Sequence, residues 1–571
     1  MEKLDARRLT GINVIWQHPG AVVDVRLDPN DDADAVADQW AIQARRFLDA
    51  LGWSHPVCSH RLHSGVALAL AAPMDALYSA VEAAEWVFGE VAFSLTGMRP
   101  VIYDENDEAV PHREFDEMVS HVKRAIADEC NPALQRVLTT QPVNATVLID
   151  DDEISVGLGR YATTWPVDAL PETIDWSSAR RIPVGLVTGT NGKTTTVRLT
   201  QRMLRAAGNR VGISSTDWIG VDDTIIDRGD YSGPGGARAV LRQNIDTAVL
   251  ETARGGLLRR GLGMPRADAS LITNIAEDHL GDFGSENLDE LLDLKWIVTR
   301  ALDTQSVAIL NADDPLLVAK ASELSVPLCW FGLEPDADPI RAHIANAQPV
   351  VTVKDNVFCR FDGNTWRTLC AIDEAPITVG GSARHNVANS LAAIALAHFL
   401  GADDESIVSG LQSMQPNDNP GRCNFFSVNG VDVLLDFAHN PSAMQAIFDI
   451  ARSHPAQRRL LCFGQAGDRT DDSIRELAQL AWAIGLDHVC VSELGDYRRG
   501  RAPQEVFHLL KEGLLSAGAQ EHQISHHERE RESLDHALHL AHEGDLIIMI
   551  ALGEARALLE WLNSYPSASI A

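Results

Sequence analysis

The fold is decided by one stretch of the chain, Val184-Gly185-Leu186-Val187-Thr188-Gly189-Thr190-Asn191-Gly192-Lys193-Thr194-Thr195-Thr196-Val197. It begins with a short apolar run typical of a buried strand, and apolar residues at helical spacing follow the glycine-rich turn. Loop N–H groups and a helix N-terminus favour phosphate oxygens, a lysine adds positive charge, and a threonine hydroxyl can bind Mg²⁺. The stretch therefore predicts an ATP site formed by Gly189, Thr190, Asn191, Gly192, Lys193, Thr194 and Thr195.

The loop follows the compact form of the phosphate-binding pattern, Gly-x-x-Gly-Lys-Thr. The longer eight-residue form requires glycine at position 187, where this chain has Val187. A glycine-rich turn that only joins a strand to a helix is the alternative interpretation, but it leaves Lys193 and Thr194 at the helix start unexplained.

Composition limits the classes of function. The chain has 571 residues, and its 48 basic and 80 acidic residues give a formal charge of −32, which argues against a nucleic-acid partner. The eight cysteines form no Cys-x-x-Cys pair, which favours free thiols in a reducing compartment. Because no run of about 20 apolar residues occurs, we expect no membrane partner and a cytoplasmic location.

Three domains of an α/β protein are predicted. Residues 1–178 mix strand-like runs, such as Ile12 to Trp16, with helical stretches and predict a small α+β domain. Residues 179–414 contain the phosphate loop and predict a domain with a mostly parallel sheet. A proline-bearing stretch then precedes residues 415–571, in which strand and helix alternate again and predict a Rossmann-like domain.

Two side chains that can bind a metal ion follow predicted strands downstream of the loop. Glu251 ends the run that begins at Asp246, and His279 follows the strand predicted from Ser270 to Thr273. Phosphoryl transfer needs metal ligands at the carboxyl ends of neighbouring strands, so both are candidate ligands, although either alone is more often structural or solvated. The cluster of His522, His526 and His527 lies among Glu and Arg residues and indicates a solvated charged face rather than a metal site.

An ordered set of motifs resembles those of the Mur ligase family. The set consists of Gly189 to Thr195, Thr273-Asn274 through Asp278-His279-Leu280, Leu310 to Pro315, His385-Asn386 with Asn389, Pro420-Gly421-Arg422 and Asp436 to Pro441. Within that family, the C-terminal half of the cyanophycin synthetases is most similar. This similarity extends from about residue 183 to 565 and is carried by Glu251 to Arg259, Gly229 to Pro234 and Gly467 to Asp472.

The resemblance implies that ATP converts a carboxylate to an acyl phosphate, which an amine then attacks to give an amide. Lys193 would hold the β- and γ-phosphates, Thr194 and Glu251 would bind one Mg²⁺, and His279 would help to bind a second. Lys295 matches a lysine that many members carry as a carbamate, which turns a cation into a magnesium-bridging acid, the alternative being an ordinary surface lysine. The nucleotide contacts implied are Asn386 and Asn389 to adenine, and Arg422 and Asp436 to the phosphates and ribose.

The resemblance also assigns the selection of the incoming amino acid to the C-terminal domain. Carboxylates there could pair with a guanidinium, and arginines could hold a carboxylate, whereas a solvated loop is the alternative for each residue. The candidate substrate contacts are Arg254, His439, Asp468, Arg469, Asp472, Asp496 and Arg498. In the cyanophycin synthetases the amino acid is arginine, joined to an aspartate side chain, but its identity in this chain stays open.

The segment before the phosphate loop differs from that of the cyanophycin synthetases. They place an ATP-grasp domain between a small N-terminal domain and the Mur-like half. About 180 residues precede the loop here, and they resemble only the small domain. We therefore expect this chain to catalyse one ligation and a separate ATP-grasp ligase to act as its partner. The sequence leaves open whether the chain forms a homo-oligomer.

Three functions remain for comparison. The leading hypothesis is an ATP-dependent amide ligase that adds an amino acid to a peptide-like acceptor. The second is a Mur-type ligase for a cell-wall precursor, a folate or a polyglutamate. The third is an inactive nucleotide-binding scaffold subunit, against which the joint retention of Lys193, Thr194, Glu251, His279 and Lys295 argues.

Overall fold

A computed structural model describes residues 1–101, 109, 111–278, 285–415, 418–565 and 568–570. Within these residues the strands form sheets of four, three, eleven and seven strands. The two largest sheets combine parallel strands with helices, which confirms the predicted α/β class.

The first sheet is antiparallel, with strand order β1-β2-β4-β3. The elements of this part are β1 (Glu2–Leu9), β2 (Gly20–Arg26), α1 (Ala33–Leu51), β3 (Val57–Leu62), β4 (Gly65–Ala71), α2 (Leu77–Thr96), α3 (Phe115–Glu129) and α4 (Pro132–Thr140). Trp40 and Phe47 of α1 and Phe88 of α2 are fully buried against it. This arrangement agrees with the α+β character predicted for the N-terminal part.

The strand expected from Ile12 to Trp16 is absent from this described part of the chain; these residues form a loop. The loop packs on the central part of the molecule, where the Thr10 N–H donates to the Arg260 carbonyl at 3.0 Å and the Leu262 N–H donates to the Ile12 carbonyl at 2.8 Å. Ile12 and Val14 pack in the central core, whereas Ile15 and Trp16 pack against the N-terminal sheet, so the apolar residues are packed without forming a strand.

A small antiparallel sheet connects the N-terminal part to the central sheet. It contains β5 (Val147–Ile149), β6 (Glu153–Val156) and β7 (Thr163–Pro166). Leu148 and Leu158 precede the boundary predicted at residue 178, yet they pack in the same core as Val240 and Leu241. The boundaries at 178 and 414 stay predictions.

The central sheet has eleven strands. Its elements are β8 (Val184–Thr188), α5 (Lys193–Ala206), β9 (Val211–Ser214), β10 (Trp218–Val221), β11 (Thr224–Arg228), α6 (Pro234–Leu241), β12 (Thr247–Glu251), α7 (Arg254–Arg259), β13 (Ala269–Ile272), α8 (Leu288–Trp296), β14 (Val307–Asn311), α9 (Pro315–Lys320), β15 (Leu328–Gly332), α10 (Asp338–Ala345), β16 (Val350–Lys354), β17 (Val357–Phe361), β18 (Trp366–Ala371), α11 (Arg384–Phe399) and α12 (Asp404–Ser413). The seven strands β9-β12-β8-β13-β14-β15-β16 are parallel, and antiparallel strands extend both edges.

Both faces of this sheet are covered, because alternate residues of each strand point to opposite sides. Val184 and Leu186 of β8 belong to one core, which α6 and α8 complete. Val187 of the same strand belongs to the other core, together with Val197 of α5 and residues of α11 and α12. The phosphate loop therefore leaves the carboxyl end of a central strand with packed layers on either side.

The C-terminal sheet has the order β23-β22-β21-β24-β20-β19-β25. Its elements are β19 (Asn424–Val428), β20 (Val431–Asp436), α13 (Pro441–Ser453), β21 (Arg459–Phe463), α14 (Asp471–Trp482), β22 (His488–Ser492), α15 (Glu505–Ser516), β23 (Ile524–His527), α16 (Glu530–Leu540), β24 (Leu546–Ile550), α17 (Ala555–Ser564) and β25 (Ala568–Ile570). The five strands β20, β24, β21, β22 and β23 are parallel. Cores lie on both faces of the sheet, as the Rossmann-like prediction requires.

Other predictions concern cysteine, histidine and membrane segments. All eight cysteines are free thiols. His526 and His527 are half-buried in β23 rather than on a solvated face, whereas His522 is exposed. Among the residues that the structure describes, no cluster of metal-ligating side chains was found, and no helix has the length and apolarity needed to cross a membrane.

Candidate active site

A cavity of about 420 Å³ opens where the carboxyl ends of β8, β12 and β13 face the C-terminal sheet. Most of the predicted site residues line it, drawn from both parts of the molecule. They are Thr190, Asn191, Gly192, Lys193, Thr194, Thr195, Glu251, Arg254, Lys295, Asn386, Asn389, Arg422, Asp436 and His439. Gly189 lies at the base of the loop and does not belong to this lining.

The phosphate loop is held by its neighbours on the adjoining strand-end loop. The Asn191 N–H donates to Asn274 Oδ1 at 2.9 Å, and Thr273 Oγ1 donates to the Asn191 carbonyl at 2.6 Å. Gly192 has a φ of +85°, and a Cβ there would overlap the side-chain oxygen of Asn389. Glycine is therefore required at this position for both conformation and space.

Lys193 and Thr194 begin α5 with their functional atoms turned toward the cavity. Lys193 Nζ donates to the carbonyl of Thr190 at 2.9 Å, so the ammonium group folds back over the loop. Thr194 Oγ1 donates to Glu251 Oε2 at 2.8 Å. The lysine and the threonine hydroxyl thus lie on the side of the loop where phosphate oxygens would bind.

Glu251 is a buried carboxylate, with only 1% of its surface exposed. Besides the bond from Thr194, its Oε1 accepts a hydrogen bond from Thr216 Oγ1 at 2.6 Å. A carboxylate and hydroxyls are hard oxygen donors of the kind that Mg²⁺ prefers, so this group fits a magnesium site. Sequence reasoning missed Thr216, although its position just after β9 was the available signal.

Lys295 lies in the last turn of α8 and is 4% exposed, which is inconsistent with the surface-lysine alternative. Its Nζ donates to the Gly189 carbonyl at 2.8 Å. Burial lowers the pKa of Lys295 well below its usual range, the positive charges of Lys193 and Arg254 add to this effect, and Asp278 opposes it. The neutral form of the amine is therefore more populated here than on an ordinary lysine.

His279 lies outside the described residues, so its predicted role as a metal ligand stays a prediction. The preceding residue, Asp278, lines the cavity. Its carboxylate accepts from Arg469 Nη2 at 3.1 Å and lies 3.6 Å from His439 Nε2. Asp278 therefore connects the loop after β13 to the C-terminal part, a role that sequence reasoning did not assign.

Asn386 and Asn389, the predicted adenine contacts, lie one turn apart on α11. Asn386 Nδ2 donates to the Ile377 carbonyl at 3.0 Å, and Asn389 Nδ2 donates to Asn386 Oδ1 at 3.1 Å. His385 lies beside them in the cavity lining. Burial lowers its pKa to about 4, so this imidazole is neutral at physiological pH.

Arg422 and Asp436 form the opposite wall. Asp436 Oδ2 accepts from the Cys423 N–H at 2.7 Å, and burial raises the pKa of Asp436 to about 6 against the opposing charge of Arg422. Asn440 Nδ2 donates to Asn191 Oδ1 at 3.0 Å, and Asn191 Nδ2 donates back to Asn440 Oδ1 at 3.3 Å. This amide pair joins the phosphate loop directly to the start of α13.

The predicted substrate contacts fall into two groups. Arg254 and His439 line the cavity, and Arg469 reaches its edge through Asp278. The other four are Asp468, Asp472, Asp496 and Arg498, which do not belong to the lining. Asp472 is exposed and pairs with Arg475 at 3.2 Å, and Arg498 Nε donates to the Gly495 carbonyl at 3.2 Å. Their substrate roles stay predictions.

Two family models match the chain. Residues 187–397 match the Mur ligase middle domain, and residues 421–553 match the model described as Mur ligase, glutamate ligase domain. The matches begin inside β8 and end after β24, and so include every described element that lines the cavity.

Individual proteins resemble the same region. A cyanophycin synthetase of Crocosphaera subtropica is 32% identical over 412 residues, which cover 71% of this chain and 46% of that protein. A UDP-N-acetylmuramoyl-L-alanyl-D-glutamate–2,6-diaminopimelate ligase of Bacillus licheniformis is 25% identical over 380 residues, covering 64% of this chain and 72% of that protein. The chain thus spans less than half the length of the cyanophycin synthetase.

Among solved structures, Escherichia coli FolC in complex with DHPP and ADP superimposes with a TM-score of 0.50 and 20% sequence identity. The similarity covers 67% of this chain and 89% of that one. At this level of identity it supports the fold alone.

Proposed function

The chain belongs to the Mur ligase family of ATP-dependent carbon–nitrogen ligases, and we propose that it joins an amino acid to a carboxylate of a peptide-like acceptor. The observation that carries the proposal is a buried hydrogen bond to Glu251 from Thr194, the residue of the phosphate loop that follows Lys193. Hard oxygen donors next to a phosphate-binding loop suit phosphoryl transfer from ATP.

The proposed reaction has two steps. In the first, an acceptor carboxylate oxygen attacks the γ-phosphorus of ATP, which gives an acyl phosphate and releases ADP. In the second, the amine of the amino acid attacks the acyl carbon, inorganic phosphate leaves, and the amine loses a proton as the amide forms. Lys193 and the loop N–H groups would stabilise the negative charge on the phosphates.

Magnesium fits the donor set of this site. Thr194 and Glu251 would hold one ion, His279 would help to hold a second, and a carbamylated Lys295 would be a further metal ligand. Bound Mg²⁺ would neutralise phosphate charge during the transfer. The chain's own residues fix the Glu251 carboxylate, because Thr194 Oγ1 donates to Oε2 at 2.8 Å and Thr216 Oγ1 donates to Oε1 at 2.6 Å.

The proposed carbamate rests on the burial of Lys295. Carbamylation requires a neutral amine that attacks CO₂, with loss of one proton, and the lowered pKa favours that neutral form. The product is a carbamate, which would place a negative charge near Lys193 where the free amine is neutral. A negatively charged oxygen donor suits a magnesium ligand.

The C-terminal part would close the site over ATP. In the proposal Arg422 contacts the phosphates, Asp436 contacts the ribose, and the two asparagines of α11 contact adenine. In the proposal His439 and Arg469 contact the second substrate, which is supported by the position of both residues against Asp278 at the cavity edge. The proposal includes a cyanophycin-like acceptor and a separate ATP-grasp ligase that prepares it.

The test is a matrix of amino acids against carboxylate acceptors, scored by phosphate release and by product mass. Aspartyl peptides, cell-wall precursors, folates and polyglutamates serve as acceptors, with and without an added ATP-grasp ligase. We expect phosphate release only when both substrates are present, and none from Lys193→Ala. Product formed with another acceptor class would identify that class, rather than aspartyl peptides, as the acceptor. Nucleotide binding without any product would favour the scaffold function.

A further inference from the structure

Arg198 is a buried cation on α5, one turn beyond Thr194, and only 3% of its surface is exposed. Burial lowers its pKa to about 10, so the guanidinium remains charged at neutral pH. An arginine buried this deeply is destabilising unless its charge and donors are matched by partners. The identity of those partners therefore indicates what the residue does.

The partners of Arg198 belong to two separate segments. Nη2 donates to Asp217 Oδ2 at 2.5 Å, and the guanidinium carbon lies 4.0 Å from the centre of the Trp218 ring. Nη1 donates to Asn419 Oδ1 at 2.8 Å. One planar guanidinium thus joins the segment after β9 to the segment between α12 and β19.

The first segment leads to the carboxylate of the site. Asp217 directly follows Thr216, whose hydroxyl donates to Glu251 Oε1 at 2.6 Å. A shift of Asp217 would move this hydroxyl relative to Glu251. Arg198 is therefore separated from Glu251 by two adjacent residues.

The second segment leads to the opposite wall of the site. Asn419 is fully buried, and its Nδ2 donates to Thr195 Oγ1 of the phosphate loop at 3.0 Å. Its carbonyl accepts from the Arg422 N–H at 3.1 Å, which fixes the turn that carries the Arg422 side chain to the cavity. Arg198 and Asn419 together hold this turn against α5.

We propose that Arg198 is a positioning residue that couples the phosphate and metal side of the site to the turn carrying Arg422. The coupling rests on the proposed function, because it assumes that nucleotide binds at the phosphate loop. Nucleotide that orders Thr194, Thr195 and Glu251 also orders Thr216 and Asn419, and the guanidinium aligns their two segments. Arg422 is then placed for closure over the phosphates.

The test compares Arg198→Met and Arg198→Lys with a matched control, Arg202→Met. Arg202 lies one turn further along α5 and also contacts the segment between α12 and β19, with Nη2 2.8 Å from Asp418 Oδ1, but it is partly exposed. Hydrogen exchange at residues 418–424 is measured with and without ADP and Mg²⁺, together with kcat and KM for ATP. Circular dichroism melting checks that each variant is folded.

We expect nucleotide to slow exchange at residues 418–424 in the natural protein and in Arg202→Met, and to have little effect in Arg198→Met. We expect kcat to fall roughly tenfold to a hundredfold in Arg198→Met, as when buried polar groups lose a partner, with KM for ATP changed less than about threefold. Arg198→Lys should recover part of the loss, because a lysine can bond one segment but cannot form the planar fork.

Equal protection in Arg198→Met and Arg202→Met would overturn the proposal, as would a loss that appears only in KM for ATP. If Arg198→Met does not fold, Asn419→Ala takes its place under the same criterion, and nucleotide protection retained in that variant would also overturn it. The exchange measurement needs no acceptor. A failure of the coupling is therefore distinguishable from a failure to find ligase activity.

Discussion

At the scale of the residue, burial of the ionisable Asp436 in the site lowers the stability of the folded protein. The carboxyl group is buried beneath Arg422, and its pKa is raised to about 6. Because the pKa is higher in the folded than in the unfolded state, ionisation disfavours folding as pH rises from about 4 to about 6. Below that window both states are protonated and the difference disappears.

We therefore expect Asp436→Asn to raise the free energy of unfolding of the nucleotide-free protein above pH 6, by at most about 3 kcal/mol. At pH 4 the substitution should change stability little. Urea denaturation at the two pH values measures this difference. Ligase activity should fall in the same variant, and a variant destabilised at pH 7 would contradict the expected sign.

Lys295 provides a second prediction at this scale. If the buried amine is carbamylated, activity should fall in CO₂-depleted buffer and return with bicarbonate. Lys295→Ala should lose activity by roughly 10–100-fold or more, as expected for a disturbed metal site, and acetate should restore part of it. Lys511→Ala is the control, because Lys511 pairs with Glu521 on the surface at 3.0 Å. Activity independent of CO₂ would exclude the carbamate.

At the scale of the element, the phosphate loop depends on how closely α5 and α11 approach. Gly192 and Gly208 flank α5, and both have left-handed backbone conformations with φ near +85°. A Cβ on Gly192 would overlap Asn389, whereas a Cβ on Gly208 has no heavy atom within 4 Å. Substitution of Gly208 therefore tests backbone strain alone, whereas substitution of Gly192 adds steric overlap.

Gly192→Ala should greatly weaken nucleotide binding, because both the loop and Asn389 must move. Gly208→Ala should bind nucleotide normally and lose only about 1 kcal/mol of stability, the cost of placing alanine in a left-handed conformation. Isothermal titration with ADP and Mg²⁺ compares the two. Equal affinities would show that the contact with α11 does not constrain the loop.

The elements also show what could be predicted from the sequence. β8, β12 and β13 are predicted correctly because buried parallel strands are short apolar runs between helices. The stretch from Ile12 to Trp16 is also mostly apolar, but Thr10 and Ile12 make backbone hydrogen bonds to residues 260 and 262, which no local pattern reveals. Similarly, Lys193 and Glu251 follow from motif and strand position, whereas the roles of Thr216 and Asn440 depend on contacts between distant segments.

At the scale of the whole molecule, the N-terminal part braces the elements that carry site residues. The loop after β1 makes hydrogen bonds to two places in the central part of the molecule. One is the segment after α7, the helix that begins with Arg254, and the other is Arg300, which follows the helix of Lys295. Two glycines permit the closest approach, because a Cβ on Gly11 or Gly261 would overlap a carbonyl oxygen of the other segment. The N-terminal part thus supports the site from outside.

We expect Arg300→Met to loosen this docking, because Arg300 Nη1 donates to the carbonyls of Asn13 and Val14 at 2.6 and 2.8 Å. Hydrogen exchange at residues 10–16 should accelerate by roughly fivefold or more, as when a partly buried bond is lost. Gln17→Ala, which removes a longer exposed contact to the Arg300 carbonyl at 3.4 Å, should change it little. Unchanged exchange in both variants would show that the loop is held by its apolar contacts alone.

The pair formed by Asn191 and Asn440 has a consequence for turnover. Two neutral amides join the phosphate loop to α13, so separating them exposes no buried ion and costs only about 1 kcal/mol for each hydrogen bond. ADP must leave after every cycle, and a contact this weak can break and re-form on the timescale of product release. The same neutrality makes the contact insensitive to ionic strength, so salt should alter the opening rate through charged contacts such as the ion pair of Asp278 and Arg469.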